Sequence, residues 1–319
     1  MSTFPLAPAR LPMPDFSMPP WAPVWPQPRI LVAMAVLYGL LAAASVGSVF
    51  GTAAGSPLRA QINAWWFIFP AVSASLLLAP LGPPLLLLLI TWLAWRELAG
   101  LCGSEGDNRQ RFTLACFAVW LAQTLLTWLN PVWASTGMAV LLLWQTVHFV
   151  RRPSAPRLLL LLFVLLGLGL SFLPPLLLRR TAASASNLDW YFYLFALTAL
   201  NDIGQFVAGK SFGRHRIAER ISPQKTWQGL AGGMVMSLVV SVSLGLHLQL
   251  AGVARLVLLA LLLSPAGFVG DLMFSAAKRW LGIKDFSNLI PGHGGILDRV
   301  DSLVLTAPLL YVALAVFIP

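Results

Sequence analysis

The sequence predicts an all-α protein, a polytopic transmembrane helical bundle of nine or ten spans with a polar site near its cytoplasmic face. Three observations carry that prediction. Apolar residues make up 58% of the chain and charged residues only 10%, where a soluble domain carries about 25% charged; the mean hydropathy is +0.79. Apolar runs approaching the roughly 20 residues that cross a bilayer recur along the whole length. The basic residues fall mostly in the short loops between those runs, as membrane topology requires.

Taken in order, residues 1–28 hold nine prolines, a density that no helix sustains. This segment is expected to be an irregular tail, with Trp21 and Trp25 suited to the membrane interface. Residues 29–199 form a hydrophobic scaffold, with spans expected near 29–51, 62–80, 83–99, 111–129, 131–150 and 157–178, and one near 187–207 that runs into the next region. Pro70, Pro174 and Pro175 lie inside these runs and should kink or end helices. Residues 200–302 are rich in charge and contain spans near 229–250 and 253–273; residues 303–319 supply the final span. Cys102 and Cys116 show neither CxxC spacing nor a ligand cluster, so they are expected to be two buried thiols in helices.

Orientation follows from counting. With ten spans, sixteen Lys and Arg fall in or beside the loops on one side and five on the other. The richer side is expected to face the cytoplasm. The formal net charge of +10 therefore reflects topology, and its scatter over short loops argues against nucleic-acid binding, which gathers basic residues on one solvated face.

Charge is concentrated late in the chain. Residues 200–301 hold six of the eleven acidic and ten of the twenty-one basic residues. Asp202 and Asp271 lie within apolar stretches, where an ionised group costs at least a few kcal/mol unless paired or wetted. A structural ion pair between helices is one reading of each, and a functional site is the other. Ser222-Pro223 fits a helix start, with Lys225 in the first turn. Gly229, Gly232 and Gly233 offer a face that another helix can approach closely. The basic cluster around them is either a topology signal facing anionic lipid or an electrostatic funnel for a polyphosphate. Further on come Asp271, Ser275, Lys278-Arg279, Lys284-Asp285 and the run PGHGGILDRVDS. Gly292, Gly294 and Gly295 around His293 leave backbone amides uncovered, as in a phosphate-binding nest. His293 itself is expected to be a hydrogen-bonding loop residue or phosphate donor rather than a general base. Asp298 and Asp301 are three apart and share a helix face. Carboxylates beside basic residues form the inventory that phosphoryl-type transfer uses, and one or two carboxylates suit magnesium, with phosphates and water as its other ligands.

The stretch SAAKRWLGIKDFSNLIPGHGGILDRVDS resembles the signature of the phosphatidate cytidylyltransferases. Ser275, Lys278, Arg279, Lys284, Asp285, Pro291, His293, Gly294, Gly295, Asp298, Arg299 and Asp301 match its fixed positions. Asp202 through SPQKTWQGLAGG is similar to a second block of that family, with Gln228 where its members usually have Glu and Asn201-Asp202-Ile203-Gly204-Gln205-Phe206 where they usually write D-S/T-G/A-A-Y. The resemblance covers about residues 200–302. It implies a reaction in which CTP and phosphatidate give CDP-diacylglycerol and pyrophosphate at a bacterial-type inner membrane, with the site open to the cytoplasm. It implies magnesium held between Asp271 and Asp298, allows a second cation, and is compatible with a homodimer. Lys278, Arg279, Arg299 and Asp301 would act with those aspartates in catalysis. Asp202, Ser222, Lys225, Ser275, Lys284, Asp285, His293, Gly294 and Gly295 would bind substrate. A relative acting on another lipid phosphate is the nearest alternative. An ion-coupled transporter is a further one, although the concentration of charge in one third of the chain and the lack of a visible internal repeat speak against it.

Overall fold

The computed structural model describes residues 28–51, 57–101, 106–178, 188–287, 289 and 294–317. Within them the regular elements are helices except for one small hairpin. In chain order the helices are α1 (Pro28–Gly51), α2 (Pro57–Leu77), α3 (Gly82–Leu101), α4 (Gly106–Leu129), α5 (Pro131–Arg151), α6 (Ala155–Ser171), α7 (Leu173–Leu178) and α8 (Leu188–Phe212). The strands β1 (Arg216–Ala218) and β2 (Ser222–Thr226) follow, then α9 (Trp227–His247), α10 (Val253–Trp280), α11 (Leu297–Val300) and α12 (Leu303–Phe317). Every expected span corresponds to a helix, and among the described residues seven helical stretches are long and apolar enough to cross a membrane. α2 and α5 carry shorter apolar runs. The tail, with Trp21 and Trp25, lies outside the described residues.

Burial sorts the helices. In its first half α8 is enclosed on every side, with Trp190, Tyr191, Phe192 and Tyr193 fully buried, the signature of a central helix. It runs beside α9; α10 lies against α9 and α12, and α12 against α6. On α1, α4 and α5, by contrast, Phe50, Leu129 and Val150 project outward, as lipid-facing side chains do once every backbone group is satisfied within the helix.

Close approach is bought with glycine. A Cβ at Gly232 would run into Ala208 of α8, and one at Gly233 into Gln205 and Asn201, so the small-residue face read from the sequence is where α8 and α9 meet. A Cβ at Gly169 of α6 would meet the backbone of Val304 on α12. Gly169→Ala is therefore expected to destabilise the bundle by about 2 kcal/mol, the cost of overpacking a tight contact, seen as earlier thermal unfolding of the detergent-solubilised protein.

Two local expectations change. Ser222-Pro223 does not start a helix. Ser222–Thr226 forms β2, antiparallel to β1, and the cap comes from Thr226, whose Oγ1 accepts the Gly229 amide at 3.0 Å. Lys225 thus projects from a strand end rather than from a helical turn. The second change is in α10, which continues past the expected 273 to Trp280. Lys278 and Arg279 end its last turn, where cations complement the helix dipole. Around Pro174-Pro175 the helix does break, at Phe172.

Candidate active site

The continuation of α10 builds the first half of the site. Asp271, Ser275 and Lys278 are four and three residues apart and so share one helix face. The Ser275 hydroxyl donates to Asp271 Oδ1 at 3.1 Å, and Lys225 Nζ reaches Asp271 Oδ2 at 2.7 Å. Lys225 also donates to the Phe268 carbonyl at 3.4 Å and lies 4.6 Å from the Phe268 ring centroid. The hairpin therefore delivers one cation onto a helix-borne carboxylate. A cleft of about 190 Å³ opens beside this pair, lined among others by Asp202, Gln205, Ser222, Lys225, Phe268 and Asp271.

The second half is centred on Asp298. Its Oδ1 pairs with Lys278 Nζ at 2.5 Å, and its Oδ2 accepts the amides of Gly295 at 2.9 Å and Phe286 at 3.2 Å. Only 5% of the Asp298 side chain is exposed. Gly294 stands at φ +74°, and a Cβ there would crowd Asp298 Oδ2 at 2.7 Å, so glycine is required on both counts. The Gly295 amide, expected to be open to a phosphate, is spent on Asp298.

Two further carboxylates complete the group. Asp202 of α8 accepts the Ser302 hydroxyl on Oδ2 at 3.2 Å, while its Oδ1 is buried with no partner among the described residues. Asp301 is buried and accepts the Ser302 amide at 2.8 Å. Asp271 lies within electrostatic reach of both, and so does the charge of Arg299. A Cβ at Gly270 would strike the Asp301 carbonyl, which shows how closely α10 passes the α11–α12 junction. Of the other expected site residues, Arg279 donates to the Ile221 carbonyl at 3.2 Å and ties α10 to the hairpin. Lys284 and Asp285 are exposed on the segment after α10. His293 lies outside the described residues.

Among the described residues, no three acidic, histidine or cysteine side chains gather as a ready-made metal cage. The donor set still fits a hard divalent cation. Carboxylates are its preferred ligands and one or two suffice for magnesium; the unpartnered Asp202 Oδ1 beside Asp271 is an oxygen with ligand capacity to spare.

Sequence reading missed one contributor. Glu97, on α3 in the hydrophobic scaffold, is buried, and its carboxylate accepts the Ser287 hydroxyl at 2.6 Å and the amides of Ile296 at 2.8 Å and Leu297 at 2.9 Å. The available signal was an acid inside the expected span 83–99. Gln228, noted only as a departure, accepts the amides of Arg214 at 3.1 Å and His215 at 3.2 Å. Its Nε2 also lies 3.1 Å from His215 Nδ1, so both ends of the amide hold the entry to the hairpin.

Residues 59–317 match the family model described as "Cytidylyltransferase family". "Uncharacterized protein YnbB" of Escherichia coli (strain K12) is 44% identical over 119 residues, 37% of this chain and 40% of that protein. "Phosphatidate cytidylyltransferase" of Bacillus subtilis (strain 168) is 44% identical over 137 residues, 41% of this chain and 51% of the relative. The protein of the same description from Staphylococcus haemolyticus (strain JCSC1435) is 32% identical over 204 residues, 63% of this chain and 76% of the relative. The matched segment thus spans about half or less of the first two proteins and about three quarters of the third.

Proposed function

The chain belongs to the cytidylyltransferase family, and from that membership we propose that it transfers the cytidylyl group of CTP to phosphatidate, releasing pyrophosphate and leaving CDP-diacylglycerol in the membrane. The observation that carries the proposal is the pair of lysine–carboxylate contacts, Lys225–Asp271 and Lys278–Asp298, converging on one polar end of a helical membrane bundle. A phosphate oxygen of the lipid attacks the α-phosphorus of CTP, a new P–O bond forms, and the bond to the β-phosphate bridging oxygen breaks in line. Little covalent work falls to the protein; positioning and charge stabilisation dominate such transfers. Lys225, at the cleft, and Lys278, in the last turn of α10, are held by their carboxylates and would neutralise the polyphosphate, and Arg299 adds positive charge beside Asp202 and Asp301. Ser222 lines the cleft that would receive the substrate.

Asp271 and Asp298 would hold a magnesium ion, with the Asp202 Oδ1 that has no partner among the described residues as a further oxygen beside Asp271; bound there, it would supply Lewis acidity and charge neutralisation for a displaced pyrophosphate. The sixteen-to-five asymmetry of basic residues supports a cytoplasmic site, which is where CTP is found. The unpartnered amide nitrogen of Gln205 in the cleft wall favours, as a second reading, a related lipid phosphate with an additional acceptor group.

Purified protein given α-labelled CTP, magnesium and a panel of lipid phosphates is expected to place label in lipid, with one pyrophosphate released per turnover. EDTA should stop incorporation. Absence of label with every lipid would remove the reaction, and undiminished labelling in EDTA would remove the metal.

A further inference from the structure

We propose that Glu97 is a positioning residue for this reaction, acting from outside the charge-rich region by fixing the backbone that presents Asp298. The inference rests on the cytidylyl-transfer reading for its kinetic arm. Two carboxylates from different parts of the chain bracket one short segment. Glu97 takes the amides of Ile296 and Leu297 and the hydroxyl of Ser287; Asp298 takes the amides of Gly295 and Phe286. The donors interleave along the chain, so neither carboxylate can move without dragging the backbone held by the other. Ile296 and Leu297 immediately precede Asp298, and the direction of its side chain toward Lys278 is set there.

The fit is tight. A Cβ at Gly295 would collide with the Glu97 carboxylate, so this glycine clears room for a side chain nearly 200 residues away in sequence. Both Glu97 oxygens serve as acceptors, and the ionised form alone offers lone pairs to all three donors with no proton in the way. Glutamine at this position would turn an N–H toward one of the two amides. Among the described residues its hydrogen bonds go to Ser287, Ile296 and Leu297, none of which lines the cleft, so its effect reaches the reaction through Asp298. Misplacement of a reacting group by about 1 Å from a remote change can cost about 100-fold in rate.

The test compares Glu97→Gln and Glu97→Asp with the unaltered protein in two measurements. With CTP, magnesium and phosphatidate in mixed micelles, Glu97→Gln is expected to lower kcat by about 100-fold and to leave the KM for CTP within about threefold; Glu97→Asp, which keeps the charge, recovers part of the loss. Amide hydrogen exchange followed by mass spectrometry should speed up at Ile296 and Leu297 in Glu97→Gln while α10 and α12 keep their protection. Unchanged exchange at those two amides overturns the clamp, as does a general loss of protection, which marks a folding role alone. Faster local exchange with kcat unaltered overturns the positioning role. If the unaltered protein transfers no cytidylyl group, the reaction reading fails and the exchange arm decides whether Glu97 holds the segment.

Discussion

Asp298→Asn is expected to reduce cytidylyl transfer by about 1,000-fold or more. The buried carboxylate answers three donors, Lys278 Nζ and the amides of Phe286 and Gly295. An asparagine side chain has one acceptor oxygen and points an N–H₂ at whatever the other oxygen served. If the oxygen stays on the amides, the N–H₂ faces the Lys278 ammonium; if it turns to Lys278, two backbone amides lose their acceptor. Removing one partner of a buried pair costs about 3–5 kcal/mol, equivalent to about two to four decades in a rate if the transition state bears it. The measurement is kcat/KM for CTP with saturating phosphatidate, set beside the thermal unfolding of the same preparation. Activity retained within tenfold would show that Asp298 neither orients Lys278 nor contacts the reacting groups.

Lys225→Ala should be the second most damaging change, at about 100-fold in kcat/KM for CTP, the scale seen when one preorganised donor is removed from a charge-stabilising site. Lys225 has 12% of its side chain exposed and lines the cleft while pairing with Asp271. Its ammonium lies over the Phe268 ring, 4.6 Å from the centroid, so its position is fixed by the ring as well as by the carboxylate. Lys225→Arg is expected to recover only part of the rate, because a planar fork does not occupy the volume of a compact ammonium. Equal activity in all three proteins would leave Lys225 a counter-ion to Asp271 and nothing more.

Most of the architecture was legible because lipid imposes a single rule, and an apolar run of sufficient length has little choice but to be a helix. What failed was local and had identifiable causes. Ser222-Pro223 carries a valid capping signature, but Thr226 supplies the same hydroxyl four residues later and leaves 222–226 free to pair with 216–218. The end of α10 was drawn at residue 273 because hydropathy falls there; yet Lys and Arg are good helix formers, and only the solvent changes, not the backbone. At the site, Lys278 and Asp298 could be suspected from spacing within one motif, and they do meet. Glu97 could not. Its partner Ser287 is 190 residues away, and a contact of that separation leaves no periodicity or local pattern in either segment.

The prolongation of α10 has a geometric result. Its 28 residues, at about 1.5 Å each, run about 42 Å, whereas the hydrocarbon layer is about 30 Å thick. With the apolar start of the helix in the far leaflet, the turns bearing Ser275 and Lys278 would emerge near the depth of the phospholipid phosphates. Under the proposed transfer, a lipid would present its phosphate without being lifted from its leaflet, its acyl chains still in oil, while a water-soluble nucleotide would arrive from the aqueous side. Two substrates with opposite solvent preferences would then meet at their common boundary.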